Sequence, residues 1–580
     1  MNPSRFLPAM LLCVAMVCLP AAATYYVAQQ DPKAADTNAG AEAAPFKTIN
    51  AAIKGLKPGD TLLIKGGTYR GENIRLDDSS GISGKSFTEM ITISAAPGEH
   101  PVIKGSQVIT GWTLHKDKIW YTENAPKPEE LPILFCDEKR MDLIGDYGGE
   151  MMRIIKARAG FDVWKGKKDG TLENLAANTY FYDKDAKRLY VWLADGGDPN
   201  KRLMEMTIPS GSYVGTSYVK VSGLKFLQSS MGIGGSCNIA ENCESSDSAW
   251  CCGGVSGEFN TLIGCKFNRG GDSGMGGAGR GHRIINCETS YNNFLKIDAG
   301  WHSGGCKFIA MCSGWLISGH KASGNIECPG IWFDWGNSDI VIENCVLDHN
   351  GGAIMIEVSE RATIRNNVCY ENYGRGVYLS NSSDCHVFNN VFWHNGMSGV
   401  GAVGVPRNAG EWGEGKEGRL PARNNFVWGN IFVDDCHPDF CPKDMDGRDK
   451  PWDTRPELIL PDVHEINTGN VSDYNIYYRS PGRVMPFWKG WHPKDGIWDD
   501  LADWQKKTGN DMNSVIAEPK FVDAAKHDFR PAAGSVAIEF VKPRMGAQFD
   551  FFGKMRPTEE PKDKKPLRFT AGPWEFKPQK

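Results

Sequence analysis

A short pattern that recurs every 23 residues constrains this chain more than any other feature. Phe333, Ile356 and Leu379 are spaced 23 residues apart, and each lies in a short apolar segment. The segments are 331–334, 354–357 and 377–380, followed by polar triplets at 343–345, 365–367 and 388–390. Short strands at this period, separated by polar turns, are typical of a β-solenoid. The sequence therefore predicts an all-β, right-handed parallel β-helix in which each repeat forms one coil.

Alternation along these strands assigns their side chains to the inside or the outside of the coil. The predicted inward residues are Ile331, Phe333, Ile354, Ile356, Val377 and Leu379. The predicted outward residues form one row of Trp332, Met355 and Tyr378 and a second row of Asp334, Glu357 and Ser380. Because stacked strands lie about 4.8 Å apart, the carboxyl groups of Asp334 and Glu357 are expected about 5 Å from each other.

Two carboxylates at this separation cannot both ionise easily, so the pKa of one of them rises. A general acid beside a nucleophile or base needs this arrangement, and glycosidases use such a pair. We therefore predict Asp334 and Glu357 as catalytic residues, with Trp332 and Tyr378 as substrate-binding residues beside them. A charged ladder on a solvated face and a set of calcium ligands are the alternatives.

Two further side chains near this row are candidates for substrate binding. Lys307 is predicted to point outward on the strand before that of Asp334. There it would contact a substrate hydroxyl or carboxylate, or lower the pKa of a neighbouring carboxyl. His302 lies in the preceding turn and is a candidate acid or base. The alternative for both residues is an ordinary place on the polar surface.

The N-terminus predicts export. Arg5 precedes an apolar run over 6–19, and alanines 21–23 offer a cleavage site, so we interpret residues 1–23 as a signal peptide. The mature protein would be secreted or periplasmic. No later run of 18 apolar residues predicts a membrane span, and a net charge of −5 gives no electrostatic footprint for nucleic acid. We expect a monomer that needs no cofactor. A bound calcium ion is the alternative.

Cysteines also follow the repeat. Two of the 17 cysteines lie in the signal peptide. Cys243, Cys265 and Cys287 are spaced 22 residues apart, and Cys345 occupies the matching position further on. Free cysteine packs as a small apolar residue, so this spacing predicts a stack of thiols inside the coils. A zinc site is the alternative, although the adjacent pair at 251–252 lacks the usual ligand spacing.

The remaining sequence divides around this solenoid. Residues 24–111 are predicted as an N-terminal cap and first coils, 112–206 as an inserted β-rich lobe that walls one side of a groove, 207–435 as the parallel β-helix core, and 436–580 as C-terminal coils, loops and tail. In the cap, Phe46, Ile49, Ile53 and Leu56 predict an amphipathic helix that opens at Pro45.

Three other segments carry predictions of their own. A hairpin is expected from strands 179–182 and 188–193. The segment 253–281 is rich in glycine, which indicates either ordinary turns or a smooth surface where a ligand lies close to the backbone. A short helix is expected around 497–507, and the basic segment 562–580 is expected as a surface tail.

Several segments resemble known secreted proteins. Segments 45–49, 58–61 and 67–70 are similar to the opening of β-helix carbohydrate-active proteins of the pectate-lyase-like superfamily. Segments 300–308, 330–334 and 356–359 resemble enzymes similar to glycoside hydrolase family 141, whose known activities are on α-L-fucosides and xylan. The first of these contains Trp301, which we group with the substrate-binding candidates. Many such proteins have a glutamate where this chain has His302.

Three functions remain open on this basis. The first is a secreted glycoside hydrolase acting on a plant or algal polysaccharide of the fucoside or xylan type, or on its oligosaccharides. The second is a polysaccharide lyase or uronate epimerase, with Lys307 or His302 as the base. The third is a non-catalytic surface solenoid that binds carbohydrate. The fold by itself does not choose among them.

Overall fold

Three long sheets form the body of the protein. The structure is a computed structural model, and the residues that it describes are 22–126, 133–145, 170–298, 300, 302–404, 421–440, 458–460, 468–483, 487–489, 497–498, 500–543, 547–558 and 566–576. Each of the three sheets has 13 strands, and most strands that are neighbours within a sheet are separated along the chain by strands of the other two sheets. Nearly all of this pairing is parallel, so the chain winds as a solenoid, as the repeat predicts.

Within each sheet the strands follow one another in a fixed spatial order. Sheet 1 contains Thr24–Val27, Thr61–Ile64, Ile91–Ala95, Val219–Ser222, Ile239–Glu241, Thr261–Ile263, Arg283–Ile285, Leu316–Ser318, Val341–Glu343, Thr363–Arg365, His386–Phe388, Phe426–Trp428 and Val471–Asp473. Sheet 2 contains Arg75–Leu76, Gly211–Val214, Ser230–Ile233, Gly253–Val255, Met275–Gly277, Cys306–Ile309, Pro329–Asp334, Gly352–Glu357, Val377–Ser380, Val400–Val403, Leu458–Leu460, Phe487–Lys489 and Ile497–Trp498. Sheet 3 contains Gly67–Arg70, Pro101–Lys104, Lys225–Leu227, Glu244–Ser246, Lys266–Asn268, Glu288–Ser290, Lys321–Ser323, Val346–Asp348, Val368–Tyr370, Val391–Trp393, Ile431–Val433, Ile476–Tyr478 and Val515–Ile516.

The inside of the solenoid is one continuous apolar core. Inward residues of all three sheets join a single cluster of buried side chains that runs from Val27 to Trp504. The predicted thiol stack is part of it, because Cys243, Cys265 and Cys287 are free and buried. Among the described residues, no group of three or more His, Cys, Asp or Glu side chains is arranged to hold a metal ion.

The N-terminal cap is shorter than the sequence predicts. The α-helix covers Ile49–Ala52 and continues as a 3-10 turn over Ile53–Gly55. It begins after Thr48, whose hydroxyl accepts a hydrogen bond from the Ala51 N–H at 3.2 Å. The helix does not open at Pro45, because the neighbouring Phe46 bridges Val27 as a strand partner instead. Ile49, Ile53 and Leu56 are buried, as their spacing predicts.

Two small sheets outside the solenoid form the inserted lobe. One contains, in spatial order, Lys139–Arg140, Leu134–Cys136, Met204–Thr207 and Ser106–Val108, and the other Asp142–Leu143, Thr179–Asp183, Arg188–Trp192, Ile119–Thr122 and Thr113–Lys116. The predicted hairpin is present, because Thr179–Asp183 and Arg188–Trp192 pair antiparallel. The lobe also contains the 3-10 turns Leu172–Asn174 and Pro199–Lys201.

The C-terminal part contributes Trp504 to the main core cluster, and the residues after it pack against the outside of the coils. An α-helix covers Leu501–Thr508, and a hairpin joins Phe521–Asp523 to Asp528–Pro531. The 3-10 turns Asp78–Ser80 and Ala524–Lys526 complete the helical elements of the described residues. The described part of the predicted surface tail is packed instead, since Phe569 and Ala571 are buried in a second apolar cluster.

In the described part of the chain, no helix is long and apolar enough to cross a membrane. The signal peptide predicted for 1–23 lies almost entirely outside the described residues.

Candidate active site

Asp334 and Glu357 lie side by side at the ends of adjacent strands of sheet 2. Pro329–Asp334 and Gly352–Glu357 pair in parallel, and their register sets Asp334 opposite Glu357. The pairing of the next strand sets Ser380 opposite Glu357. This is the register that the 23-residue period predicts, so the alignment of the two carboxylates on neighbouring coils is confirmed.

The same strands confirm the predicted alternation. Ile331, Phe333, Ile354 and Ile356 all belong to the main core cluster. Because neighbouring residues of a strand point to opposite faces, Asp334 projects from the outer face of sheet 2. The outer face at these coils therefore carries the polar groups, and the core below it holds their backbone in place.

Lys307 links the aromatic and the acidic rows. Cys306–Ile309 pairs with Pro329–Asp334, and the register sets Lys307 opposite Trp332. Lys307 Nζ lies 3.4 Å from the centroid of the Trp332 ring and 3.2 Å from Asp334 Oδ2. The ammonium group thus makes a cation–π contact and an ion pair at once.

This arrangement changes the role expected for Trp332. The indole is only 2% exposed, whereas the sequence predicts an outward aromatic surface on which a sugar stacks. It does lie on the outer side of the strand, but Lys307 covers the face of its ring. Trp332 therefore supports Lys307 from below, and a substrate over these coils meets the lysine before it meets the indole.

The lysine responds electrostatically to three carboxylates. Burial lowers the pKa of Lys307 from its ordinary value, because the charged form loses hydration. The negative charges of Asp334, Glu357 and Asp272 oppose this shift. These three acidic groups therefore act on one ammonium group.

Glu357 is more enclosed than a residue of a solvated ladder. The residue is 8% exposed, and the hydroxyl oxygen of the buried Ser380 lies 3.5 Å from Glu357 Oε1. The expectation that both carboxylates face open solvent is therefore corrected for Glu357. Asp334 keeps the greater access, with a quarter of its side chain exposed.

Tyr378 continues the aromatic row and also lies under a cation. It pairs opposite Met355 in the sheet. The guanidinium carbon of Arg375 lies 4.4 Å from the centroid of its ring. Arg375 is buried, and burial lowers its pKa. Nothing in the sequence pattern indicates this role for Arg375, because a single arginine before a strand carries no periodic signal.

A second cluster of polar residues contains His302, which the sequence predicts as a site residue, and Asp272, which it does not. His302 Nδ1 lies 3.0 Å from Asp272 Oδ1, and the hydroxyl of Ser303 donates a hydrogen bond to the same oxygen at 2.6 Å. Asp272 is buried, which by itself raises its pKa, but the charge of His302 and the hydrogen bond from Ser303 hold that pKa below its usual value. A buried carboxylate of this kind fixes the orientation of the imidazole.

Some of the predicted site features stay predictions. Trp301 is not among the described residues, so its place in substrate binding is untested. Calcium binding, which the sequence leaves open, is untested as well. The alignment of Asp334 and Glu357 is established, whereas their part in a reaction is a separate matter of chemistry.

Comparisons with known proteins bear on the fold. Residues 229–408 match the family model described as "Right handed beta helix region". The uncharacterized protein YwoF of Bacillus subtilis (strain 168) is 23% identical over 206 residues, which is 31% of this chain and 39% of that protein. The chain therefore spans about two fifths of the length of this curated relative.

Two solved structures align with nearly the whole chain. The alignment with "The complex structure of XylC with xylose" covers 95% of this chain and 98% of the chain in that structure, at 14% sequence identity and a TM-score of 0.58. The alignment with "Crystal structure of pectate lyase Pel9A" covers 97% of this chain and 98% of the chain in that structure, at 14% sequence identity and a TM-score of 0.43. The family match and the first of these structures establish the right-handed parallel β-helix fold that the repeat predicts.

Proposed function

We propose that this protein is a secreted glycoside hydrolase that cleaves a plant or algal polysaccharide of the fucoside or xylan type, or its oligosaccharides. The single observation that carries the proposal is the in-register pair of Asp334 and Glu357 on adjacent outward positions of sheet 2. Carbohydrate-active proteins occur among the solved structures with this architecture. The similar structure that contains xylose makes xylan the first polymer to screen.

The surroundings of the two carboxylates support different roles for them. Asp334 forms an ion pair with Lys307, which compensates the negative charge that a nucleophile must carry. Glu357 is the more enclosed of the two, because it is buried whereas Asp334 is only partly buried. A carboxyl in a water-poor site suits the general acid, because burial disfavours the charged form.

The spacing of the strands supports a double displacement. Adjacent strands lie about 4.8 Å apart, and retaining glycosidases place their two carboxyl groups about 5–5.5 Å apart. Asp334 would attack the anomeric carbon while Glu357 donates its proton to the departing glycosidic oxygen. Glu357 would then take a proton from water, the hydroxide would attack the same carbon, and the bond to Asp334 would break. The product would keep the anomeric configuration of the substrate.

The test is turnover of variants on the polymer that a reducing-end screen identifies. We expect Asp334→Asn and Glu357→Gln each to lower turnover by at least about a hundredfold, a typical scale for a lost general acid or base. Glu343→Gln is the matched control, because Glu343 faces outward on the same coil but in sheet 1, where it pairs with Arg365. Near wild-type turnover in both carboxylate variants would exclude the pair as the reacting groups.

A polysaccharide lyase is the second candidate, and one observation favours it. Burial lowers the pKa of Lys307, and a lysine with a lowered pKa is a better base for taking the proton next to a uronate carboxyl group. The products separate the two reactions. Hydrolysis gives new reducing ends alone, whereas lyase action also gives an unsaturated sugar that absorbs ultraviolet light. Epimerisation gives neither of these changes, and neither does simple binding.

A further inference from the structure

A cavity lies on the same outer face of sheet 2, several coils nearer the N-terminus than the carboxylates. Its volume is about 700 Å³. Gly211–Val214, Ser230–Ile233 and Gly253–Val255 contribute its base, and the segment 207–210, where the lobe returns to the solenoid, contributes a wall. We propose that this cavity binds sugar units of the substrate chain remote from the cleaved bond, an inference that rests on the proposed hydrolase function.

A row of glycines connects the cavity to the candidate active site. Gly232, Gly254 and Gly276 are aligned by the parallel pairing of their strands. The row begins beside Tyr213 and ends beside Lys307, which are the aligned residues on the strands at either side. A Cβ added at Gly254 or Gly276 would meet only backbone atoms within 4 Å, so no side chain covers these two outward positions, whereas at Gly232 it would meet the ring of Tyr213 at 2.9 Å. We call this row the glycine floor.

The side wall is continuous with the polar groups around Asp272. Trp250 lines the cavity, and its ring centroid lies 5.4 Å from that of His302. His302 contacts Asp272, whose charge acts on Lys307. The cavity, the glycine floor and the carboxylate pair are therefore successive parts of one surface rather than separate sites.

The lining of the cavity indicates the chemistry of its ligand. Hydroxyl and aromatic side chains, which include Ser210, Tyr213, Ser230 and Trp250, line it together with glycines and small apolar residues. Among the described residues that line it there is no carboxylate, and the cationic residue Arg75 forms an ion pair with Asp77 at 3.0 Å. Hydrogen-bonding groups beside aromatic rings suit the hydroxyl groups and the apolar face of a sugar ring.

The distance between the two sites restricts the substrate class. Three strand spacings separate Gly254 from Trp332, which is about 14 Å at about 4.8 Å per strand. A single sugar unit at the carboxylates does not reach the cavity. The geometry therefore favours an extended chain, which is cleaved at an internal bond while its remote units are held on the N-terminal side.

Gly276→Tyr tests the inference by filling the glycine floor between the two sites. A Cβ at this position would meet only the Lys307 carbonyl oxygen at 3.8 Å, an ordinary contact, so the backbone accepts a side chain here. We expect kcat/KM on the polymer to fall at least about tenfold more than kcat/KM on a short aryl glycoside of the same sugar, because only the polymer uses remote binding energy. Trp250→Ala should shift the same ratio in the same direction by removing part of the cavity wall.

The matched control is Ile285→Tyr, which adds the same side chain at an outward position of the same coil in sheet 1. It should leave the ratio unchanged. Equal losses on polymer and short substrate in both Gly276→Tyr and Trp250→Ala would overturn the inference.

A binding measurement separates this inference from the hydrolase proposal. Affinity electrophoresis compares how strongly the polymer binds to the Glu357→Gln protein and to the Glu357→Gln/Gly276→Tyr protein. Weaker binding through Gly276→Tyr supports the remote site even if no hydrolysis is found. Unchanged binding contradicts the site even if hydrolysis is established.

Discussion

The aromatic residues at the candidate site lie beneath cations. Lys307 covers Trp332, and Arg375 lies over Tyr378. Alternation along a strand predicts that both rings lie on the outer side of the sheet, and this prediction is confirmed. The faces of both rings are nevertheless covered, because long side chains from the neighbouring strand and turn lie across them. A sugar at this site would meet the Lys307 ammonium group and the Asp334 carboxylate before the Trp332 ring.

Trp332→Ala distinguishes support of Lys307 from direct stacking on a sugar. Because the indole is buried, its removal should leave a cavity and lower the free energy of unfolding by about 3–5 kcal/mol. Trp332→Phe, which keeps a ring beneath the lysine, should lose clearly less. Chemical denaturation followed by circular dichroism gives both values. An Ala variant of wild-type stability that only binds substrate more weakly would instead indicate an exposed ring.

At the scale of elements, ladders of buried asparagines hold successive coils in register. The Nδ2 of Asn350 donates to Asn372 Oδ1 at 3.0 Å, and the Nδ2 of Asn372 donates to Asn395 Oδ1 at 2.9 Å. Asn372 also donates to the Leu347 carbonyl at 3.0 Å, and its own Oδ1 accepts from the Asn350 N–H. Each amide thus satisfies backbone groups that a turn would otherwise bury unpaired.

Asn372→Leu should disrupt this ladder. The change removes these four hydrogen bonds and leaves buried partners unsatisfied, so we expect a loss of about 2–6 kcal/mol of unfolding free energy. Asn513→Leu is the control, because Asn513 is exposed and its side-chain amide donates to the Asp473 side chain at the surface. Thermal unfolding of both variants gives the comparison. Equal stability of the two proteins would show that the ladder contributes nothing.

The N-terminal capping helix gives a second prediction at the scale of elements. Ile53 is buried against the first coils of the core, so Ile53→Asp would place an unpaired carboxylate there. We expect aggregation or loss of soluble expression, because the open end of the solenoid would be exposed. Lys54→Asp, at an exposed neighbouring position, is the control. Soluble yield and size-exclusion profile report the outcome, and a monodisperse Ile53→Asp protein of normal Tm would contradict the role of the cap.

For the whole molecule, buried histidines predict how stability depends on pH. Burial lowers the pKa of His282 to about 4 and that of His320 to about 3, whereas an unfolded histidine titrates near a pKa of about 6.5. As the pH falls below about 6.5, the unfolded chain binds protons that the folded protein does not. Stability should therefore decrease from about pH 6.5 to about pH 4, by at most about 1.4 kcal/mol per pH unit for each histidine.

Urea denaturation at pH 7, 6 and 5 measures this slope. His320→Gln, which retains a polar partner for Thr289, should reduce the slope by about the share of one proton. A slope identical to that of the wild type would mean that His320 is not the group responsible.

The sequence alone determined the solenoid, the inward and outward faces, the thiol stack and the pairing of Asp334 with Glu357. A fixed period places equivalent residues on neighbouring coils, and the alternation of a strand then assigns their faces, so both follow from spacing along the chain. The tertiary structure alone decided the burial of Trp332, the contact of Arg375 with Tyr378 and the approach of Asp272 to His302. These depend on turns of irregular length and on how far a long side chain reaches across the next coil, and no local spacing encodes either.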